Sequence, residues 1–329
     1  MKIVLAGGTG QVGTILARHY KAAGADVVVL SRTPQTAPWR TVAWDAKTLG
    51  PWTSELEDAD VVIGLAGRSV NCRYTAVNRN AIMSSRVDSA HAIGQAIAWA
   101  KNPPRLWLQM STATIYAHRY DAPNDEATGI IGSNEPDAPS AWNFSIEVAR
   151  AWERAVDEAV TPHTRKVKLR SAVVMSPDPG GIFDTLLTLT RRGLGGTAGN
   201  GKQYVSWVHE ADFVRAIDWI VAHDSLEDIV NVASPNPLPN ADFMRELRKA
   251  SHTPFGLASP EWLLPIGAFL MRTEPELLLK SRRVVPGKLL AGGFTFTHPT
   301  WPQAALDLCN RSRRRRWSDV AAPGRRGVA

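Results

Sequence analysis

The chain has 329 residues, 44% of them hydrophobic and 21% charged, which is typical of a soluble globular protein with one large domain or two small ones. No apolar run approaches the roughly 18 residues that a spanning helix needs, and the sequence opens on a strand pattern, so we expect no membrane span, no signal peptide and a cytoplasmic location. The net charge of +7 comes mostly from residues 311–329, with seven arginines and one aspartate, and therefore does not indicate a nucleic-acid-binding fold.

The first thirteen residues predict a strand, a glycine turn and a helix. An apolar run from Ile3 to Ala6 is followed by glycines at positions 7, 8, 10 and 13, and then by a helical pattern. The first glycine permits a tight turn, the glycine at 10 lets backbone N–H groups reach phosphates, and the glycine at 13 lets the helix pack closely. The predicted dinucleotide-binding residues here are Gly7, Gly10, Gln11, Val12 and Gly13.

A second buried strand is predicted over residues 25–30, and it ends at Ser31 and Arg32. A site that prefers NAD usually has Asp or Glu here, because a carboxylate holds the ribose 2′-hydroxyl. A hydroxyl and a guanidinium suit a 2′-phosphate instead, since the guanidinium donors match its oxygens. We therefore predict NADP(H) as the cofactor, with both residues on the phosphate. The alternative is a solvated loop arginine.

Strand and helix patterns then alternate, which predicts an α/β fold with a Rossmann-type doubly wound parallel sheet. A strand over 59–67 ends in Leu65, Ala66 and Gly67, where a cofactor could pass. We predict a Rossmann domain over 1–177, with strand contributions from later segments. Further strands are predicted over 41–44, 105–110 and 166–175, and helices over about 82–97 and 142–160.

Residues 178–310 predict a smaller, partly helical substrate-side region. Helical patterns cover 182–192, 212–223 and 240–250, with a strand over 228–233, whereas 253–302 has no clean periodicity. The glycine-rich segment 193–201 predicts a loop over the ligand, with Lys202 and Gln203 as polar contacts and Trp207 as a flat apolar face; a surface turn is the alternative. The remaining segment, 311–329, is expected to be a disordered tail, although its arginines could touch nucleic acid or anionic lipid.

Three motifs together resemble an extended or atypical short-chain dehydrogenase/reductase: the glycine turn, the strand ending at Gly67, and the run Met110-Ser-Thr-Ala-Thr-Ile-Tyr116. Two later stretches, over 192–209 and 283–296, resemble the sugar-nucleotide-epimerase-like branch with a small C-terminal extension. The resemblance covers roughly residues 1–310. It implies a Rossmann domain that binds NADP(H), with substrate held between that domain and the C-terminal part.

In this superfamily a Ser or Thr after the fifth strand works with a Tyr-x-x-x-Lys pair on the next helix, and Thr112 matches the Ser/Thr position. The lysine lowers the pKa of the tyrosine from about 10, so that it exchanges a proton with the substrate hydroxyl near neutral pH. That pair is missing here, because none of the five tyrosines has a lysine four positions on and no lysine occurs between Lys101 and Lys166.

The candidates for catalysis are therefore Thr112 and Tyr116. The alternatives are a hydrogen-bonding residue at a strand end for Thr112 and an aromatic packed under a loop for Tyr116. His118 is expected to be an exposed loop histidine, and His209 a residue near a helix cap. Arg170 would be buried in a central strand and is expected to have a structural partner. The dispersed histidines predict no metal site, and the widely separated Cys72 and Cys309 predict no disulfide framework.

These residues are compatible with two functions. One is an NADP-dependent oxidoreductase or epimerase acting on a hydroxyl or carbonyl of a small-molecule substrate, with a sugar nucleotide as one candidate. The other is a non-catalytic NADP(H)-binding sensor or scaffold, which the missing pair favours. A homodimer is also predicted, because the helices near 80–100 and 142–160 pair across a dimer in many relatives. Its apolar face, or alternatively an intrachain core, would consist of Trp142, Phe144, Val148 and Trp152.

Overall fold

Seven parallel strands form the central sheet of the computed structural model, which describes residues 1–133, 135, 138–259 and 276–321. Two short pairs of strands lie outside this sheet. In chain order the strands are β1 (Lys2–Ala6), β2 (Asp26–Ser31), β3 (Arg40–Ala43), β4 (Val61–Gly64), β5 (Leu106–Thr112), β6 (Arg165–Ser171), β7 (Val173–Met175), β8 (Tyr204–Val205), β9 (Trp207–His209), β10 (Asp228–Val232) and β11 (Leu238–Pro239).

The strand order of the sheet is β10-β6-β5-β4-β1-β2-β3. The chain builds outward from β1 in both directions, so the order reverses between β1 and β4. In such sheets ligands bind at the carboxyl ends of the strands on either side of this switch point. The predicted Rossmann-type doubly wound sheet is confirmed, and the predicted strand over 228–233 is found as its edge strand, β10.

Helices cover both faces of the sheet and build the C-terminal part. In chain order they are α1 (Gln11–Ala22), α2 (Ala76–Trp99), α3 (Asn143–Asp157), α4 (Ile182–Leu189), α5 (Glu210–Ala222), α6 (Asn240–Ser251), α7 (Glu276–Leu279), α8 (Gly287–Ala291) and α9 (Trp301–Ala321). Within the described ranges, none of these helices combines the length and apolar character needed to cross a membrane.

The sheet is buried on both faces, which is why β1 and β2 are nearly continuous apolar runs. On one face Leu5 packs in a cluster with side chains of α1 and α5, such as Leu16 and Phe213. On the other face Val4 packs in a cluster with side chains of α2 and α3, such as Ile93 and Val156. These two layers hold the carboxyl ends of β1 and β4 in fixed positions.

A third buried cluster joins the C-terminal elements to each other. Trp207 on β9 and Trp301 on α9 meet edge to face with ring centroids 5.1 Å apart, and Phe243 on α6 stacks on Trp301 at 3.9 Å. The strand predicted over 166–175 is two strands, because the chain leaves the sheet at Ala172 and β7 pairs with β9 instead of continuing beside β5.

The prediction of a disordered tail from residue 311 is wrong for residues 311–321, which continue α9. Arg311 pairs with Glu210 at the start of α5, and Arg315 Nη1 lies 2.7 Å from Asp178 Oδ1. These ion pairs explain why an arginine-rich segment is helical: it lies along acidic groups of the folded part. Residues 322–329 lie outside the described residues.

The four residues proposed as a dimer face lie in the interior of the chain. Trp142, Phe144, Val148 and Trp152 are all less than a tenth exposed, and α3 packs beside α2 within the chain. The intrachain alternative therefore describes these side chains. A homodimer stays a prediction, and these four residues do not supply its contact surface.

Candidate functional site

The glycine turn lies at the switch point of the sheet, between β1 and α1. Gly7 adopts a φ of 85°, and its N–H donates to the Leu30 carbonyl at 2.9 Å. A Cβ on Gly7 would lie 2.6 Å from the Cα of Ala66, and a Cβ on Gly13 would lie 2.3 Å from the carbonyl oxygen of Gly8. Both glycines are therefore required by close backbone packing, as predicted for a dinucleotide turn.

Gly10 has a different environment, which fits a phosphate. No described atom lies within 4 Å of a Cβ built on Gly10, although this residue is the N-cap of α1. The first turn of a helix has backbone N–H groups without intrahelical acceptors, and a helix N-terminus attracts anions. The buried Nε2 of Gln11 has no hydrogen-bond partner among the described residues. The residues present therefore fit the pyrophosphate of a dinucleotide.

Ser31 and Arg32 stand at the carboxyl end of β2, as the sequence predicted. Ser31 is 3% exposed, and its Oγ accepts the Thr33 N–H at 3.2 Å, so this hydroxyl helps to form the turn. Arg32 is exposed on the next position. Of the two predicted phosphate ligands, the guanidinium of Arg32 is the one that solvent reaches readily.

The turn after β4 passes directly over the glycine turn. Ala66 contacts Gly7 as described, and Leu65 donates its N–H to the Ala6 carbonyl at 2.8 Å. Arg86 of α2 lies under Gly67, and its Nη1 donates to the Arg68 carbonyl at 3.1 Å. Burial lowers the pKa of Arg86 to about 10. The structure thus brings the predicted residues 65–67 to the glycine turn.

Thr112 is the last residue of β5 and lies at the carboxyl edge of the sheet, half-buried. Its Oγ1 accepts the Thr114 N–H at 3.2 Å, which caps a short 3₁₀ turn over Ala113–Ile115. This contact agrees with the hydrogen-bonding alternative and leaves the hydroxyl proton available to another acceptor.

Tyr116 does not line an open cleft. It is 2% exposed, its hydroxyl donates to Asn231 Oδ1 at 2.9 Å, and the guanidinium of Arg170 lies 5.0 Å from its ring centroid. Burial raises the pKa of the Tyr116 phenol. These features favour the packing alternative and argue against proton exchange between Tyr116 and a substrate. His118 also makes a structural hydrogen bond, in which its Nδ1 accepts the Ser281 N–H at 2.7 Å.

The predicted substrate residues at 202–207 have three different environments. Lys202 is exposed, whereas Gln203 is 2% exposed and donates to the Ala198 carbonyl at 2.9 Å. Trp207 is fully buried beside Trp301, which argues against a flat face for a ligand. Trp207 is buried because it lies on β9, and β9 is part of the buried cluster that joins the C-terminal elements.

The glycine-rich loop before these residues packs against a later segment of the chain. The Leu257 N–H donates to the Gly193 carbonyl at 2.8 Å, and the Gly199 N–H donates to the Ser259 carbonyl at 2.9 Å. A Cβ on Gly196 would lie 2.2 Å from the Leu257 carbonyl oxygen. The glycines here allow close contact between two backbone segments. A glycine-rich sequence alone does not distinguish such packing from a loop that binds a ligand.

His209, His298 and Asp307 form the one group of three potential metal ligands found in the described part of the chain, with donor atoms within 4.8 Å. His209 Nδ1 accepts the Ala211 N–H at 3.1 Å and caps α5, so the neutral ring carries its proton on Nε2, 3.1 Å from Asp307. A metal would have to displace that proton. The group is therefore a hydrogen-bonded link between α5 and α9, and the predicted cap position of His209 is confirmed.

A buried polar cluster beside the end of β5 was not found from the sequence. Lys280 Nζ donates to the Thr114 carbonyl at 2.9 Å, and Arg282 Nε donates to Thr114 Oγ1 at 3.1 Å. Ser145, in the first turn of α3, donates its hydroxyl to Glu276 Oε2 at 2.7 Å, and Glu276 Oε1 lies 4.0 Å from Lys280 Nζ. We call Ser145, Glu276, Lys280 and Arg282 the C-terminal polar cluster.

The charged side chains of the C-terminal polar cluster are almost completely buried. Glu276 and Lys280 are 3% and 2% exposed. Burial lowers the pKa of Lys280 to about 8, against the opposing attraction of Glu276, and burial also lowers the pKa of Arg282. Side chains with such environments are more common at functional sites than elsewhere. The available signal was the charged residues at 276, 280 and 282, which flank the apolar run over 277–279.

Comparison with known proteins agrees with this architecture. A model of the NAD dependent epimerase/dehydratase family matches residues 3–233, and a model of a domain of unknown function, DUF1731, matches residues 259–308. The epimerase family protein SDR39U1 of Bos taurus is 31% identical over 304 residues, which cover 91% of this chain and 96% of that protein. The epimerase family protein YfhF of Bacillus subtilis is 29% identical over 301 residues, covering 91% and 94%.

Among solved structures, human epimerase family protein SDR39U1 (isoform 2), crystallised with NADPH, superposes with a TM-score of 0.80 at 25% identity and covers 94% of this chain and 99% of that one. A UDP-N-acetylglucosamine 4-epimerase from Bacillus cereus shares the fold, with a TM-score of 0.72 at 15% identity over 95% and 99% of the two chains. With its doubly wound sheet, its glycine turn and the family match over residues 3–233, this chain belongs to the NAD dependent epimerase/dehydratase family.

Proposed function

We propose that this protein binds NADP(H) at the switch point of its sheet and oxidises or reduces a hydroxyl or carbonyl group of a small-molecule substrate, as an oxidoreductase or epimerase. The observation that carries this proposal is the open space at Gly10, the N-cap residue of α1. That space offers donors to a pyrophosphate.

The predicted cofactor ligands at the ends of β1, β2 and β4 have a place in this proposal. The N–H groups of Gln11 and Val12 would hold the pyrophosphate, and Arg32 would pair with a 2′-phosphate beside Ser31. The turn 65–67 would border the cofactor on the β4 side. A bound nicotinamide accepts or supplies hydride, and Thr112 would orient the reacting oxygen of the substrate. The NADPH in the structure of human SDR39U1 supports the choice of cofactor.

The competing proposal is a non-catalytic NADP(H) sensor or scaffold. It is favoured by the absence of Tyr-x-x-x-Lys from the sequence and by the burial of Tyr116. Lys202 remains a candidate contact for an anionic substrate, because its side chain is exposed. A sugar nucleotide is the first substrate class to test, on the likeness of fold alone.

Two measurements test the proposed function. NADPH and NADH binding are followed by energy transfer from tryptophan to the reduced nicotinamide, and we expect clear binding with NADPH preferred. The protein is then incubated with NADPH and a panel of aldehydes, ketones, quinones and sugar nucleotides, and the nicotinamide absorbance is recorded. Binding with turnover supports the enzyme. Binding without any turnover supports the sensor, and no binding overturns both.

A further inference from the structure

We propose that Ser145 and Glu276 form the acid–base dyad of this protein, in place of the missing Tyr-x-x-x-Lys pair, with Lys280 as a positioning residue. The inference rests on the proposed hydride-transfer function and names the groups that move the substrate proton. It follows from where three parts of the chain meet: the end of β5, the first turn of α3, and α7 with the residues just after it.

The placement of Ser145 is the first argument. Ala149, one helical turn later on α3, packs in a buried cluster with Ala113 and Ile115, just after β5. Residues four apart share a helix face, and Ser145 is the one nearer the N-terminus of α3. Its hydroxyl therefore lies on the side of α3 that faces the end of β5, where Thr112 stands.

The accessibility of the cluster is the second argument. Ser145 is partly exposed, whereas Glu276 is 3% exposed and sits behind it. A substrate oxygen can therefore approach the serine but not the carboxylate. A serine alone is too weak a base to accept a proton, and the carboxylate 2.7 Å from its Oγ removes this limitation.

Lys280 and Arg282 are the third argument. Lys280 Nζ lies 4.0 Å from Glu276 Oε1, and Arg282 Nη2 lies 3.3 Å from the Glu276 carbonyl oxygen. Their positive charges attract the carboxylate and compensate part of its desolvation. Lys280 itself is 2% exposed and donates to the Thr114 carbonyl, so it holds Glu276 in place rather than contacting the substrate.

The proton step balances without any further reactant. When an alcohol substrate gives its hydride to the bound cofactor, its O–H bond breaks and the proton passes to Ser145 Oγ. At the same time the Ser145 proton passes to Glu276 Oε2, and the substrate carbonyl forms. In the reverse direction Glu276 returns its proton to Ser145, which protonates the alkoxide oxygen as hydride arrives. Thr112 holds the same oxygen but does not change its protonation state.

The test uses the full-length protein, saturated with NADPH, and whichever carbonyl probe of the panel the wild type reduces. Ser145→Ala should lower kcat by about a hundredfold or more, as loss of a general acid–base does, with NADPH affinity unchanged. Glu276→Gln should do the same and should flatten the alkaline limb of the pH–rate profile, because reduction requires Glu276 in its protonated form. Ser145→Thr keeps a hydroxyl and should restore most of the rate.

The matched control is Glu147→Gln, the same chemical change on an exposed position of α3 two residues from Ser145. It should leave kcat within about twofold, as surface substitutions usually do. If Ser145→Ala reduces the probe at the wild-type rate, the dyad is wrong while the proposed enzyme stands. If the wild type reduces no probe, the proposed enzyme falls and the dyad with it.

A second readout needs no turnover. In protein labelled with ¹³C-glutamate, the carboxyl signal that disappears in Glu276→Gln is assigned to Glu276, and its position is followed against pH. Ser145→Ala should move the inflection of that titration to higher pH, because the carboxylate loses a donor. An unchanged titration would show that the hydroxyl does not contact the carboxylate and would overturn the proposal. Melting temperatures identify any variant that fails to fold.

Discussion

Arg170 and Glu153 form a two-pronged ion pair in the interior of the protein. Arg170 Nε and Nη2 lie 2.9 and 2.8 Å from the two carboxylate oxygens of Glu153, and both side chains are less than a tenth exposed. Ser111 donates its hydroxyl to Glu153 Oε1 at 2.6 Å. Burial alone would lower the pKa of Arg170, but the hydrogen bond and charge of Glu153 raise it. The pair ties α3 to β5 and β6.

Removing one partner of this pair should destabilise the fold strongly. We expect Arg170→Met to lower the free energy of unfolding by about 3–5 kcal/mol, because it leaves the Glu153 carboxylate buried without its counter-ion. Urea unfolding near neutral pH measures the change. The control is Arg245→Met, whose guanidinium pairs with Asp242 on the surface and should contribute far less to stability. Equal losses in the two variants would contradict this interpretation.

Two glycines of the dinucleotide turn should separate folding from binding. Gly13→Ala places a Cβ 2.3 Å from the Gly8 carbonyl oxygen, so we expect a loss of stability of about 1–3 kcal/mol from overpacking. Gly10→Ala places its Cβ in open space, so its melting temperature should stay close to that of the wild type.

The affinity for NADPH, unlike the melting temperature, should respond to substitution of Gly10. Gly10→Ala should weaken NADPH binding by about tenfold or more, equivalent to roughly 1.4 kcal/mol, because the methyl group occupies phosphate space. Fluorescence titration measures this. A Gly10→Ala variant that binds NADPH as tightly as the wild type would show that the pyrophosphate does not lie there.

Arg32 should determine the preference between the two nicotinamide cofactors. Arg32→Asp should weaken NADPH binding by about tenfold to a hundredfold, because a charge-assisted contact to the 2′-phosphate is replaced by repulsion. NADH affinity should change far less, since NADH lacks that phosphate. Arg154→Asp, on an exposed position of α3, is the charge-matched control. Equal loss of both cofactors would remove Arg32 from the site.

His209 should make stability depend on pH in mildly acidic solution. Burial lowers its pKa from 6.5 to about 4, with a further contribution from His298, so the unfolded chain binds a proton between these values and the folded chain does not. The contribution of His209 is therefore fully present above about pH 6.5 and is lost as the pH falls towards 4, by up to roughly 3 kcal/mol.

The His209 prediction is checked by urea unfolding across this range in the wild type and in His209→Asn. Asparagine keeps an N-cap acceptor for the Ala211 N–H and does not titrate, so the variant should lose part of the pH dependence. His163→Asn, at an exposed position, should keep the full dependence. A His209→Asn curve parallel to that of the wild type would contradict the assignment.

The sequence was most informative where local rules decide the structure. The order of strand, Gly7, Gly13 and helix is determined within thirteen residues, because it depends on backbone geometry that only glycine permits. The same holds for the alternation that predicts the parallel sheet. Ser31 and Arg32 were placed correctly because they follow directly from the end of a strand.

The sequence did not predict features that depend on contacts between segments far apart in the chain. Trp207 was predicted to face a ligand, but its partner Trp301 comes from a helix that the local pattern cannot place beside it. The sequence predicts Tyr116 as a candidate base, but Asn231 and Arg170, which surround it, come from other strands. The arginines of α9 looked like a solvated tail because their acidic partners belong to other elements.

The contact of Lys280 with Thr114 joins residues that are 166 positions apart. Closing so long a loop costs chain entropy that shorter-range contacts do not, so contacts of this kind tend to form late in folding. We therefore expect the sheet and its glycine turn to assemble before the C-terminal polar cluster. A newly made chain would gain the ability to hold a nucleotide first, and the arrangement of charges needed to move a proton only when its last segment has docked.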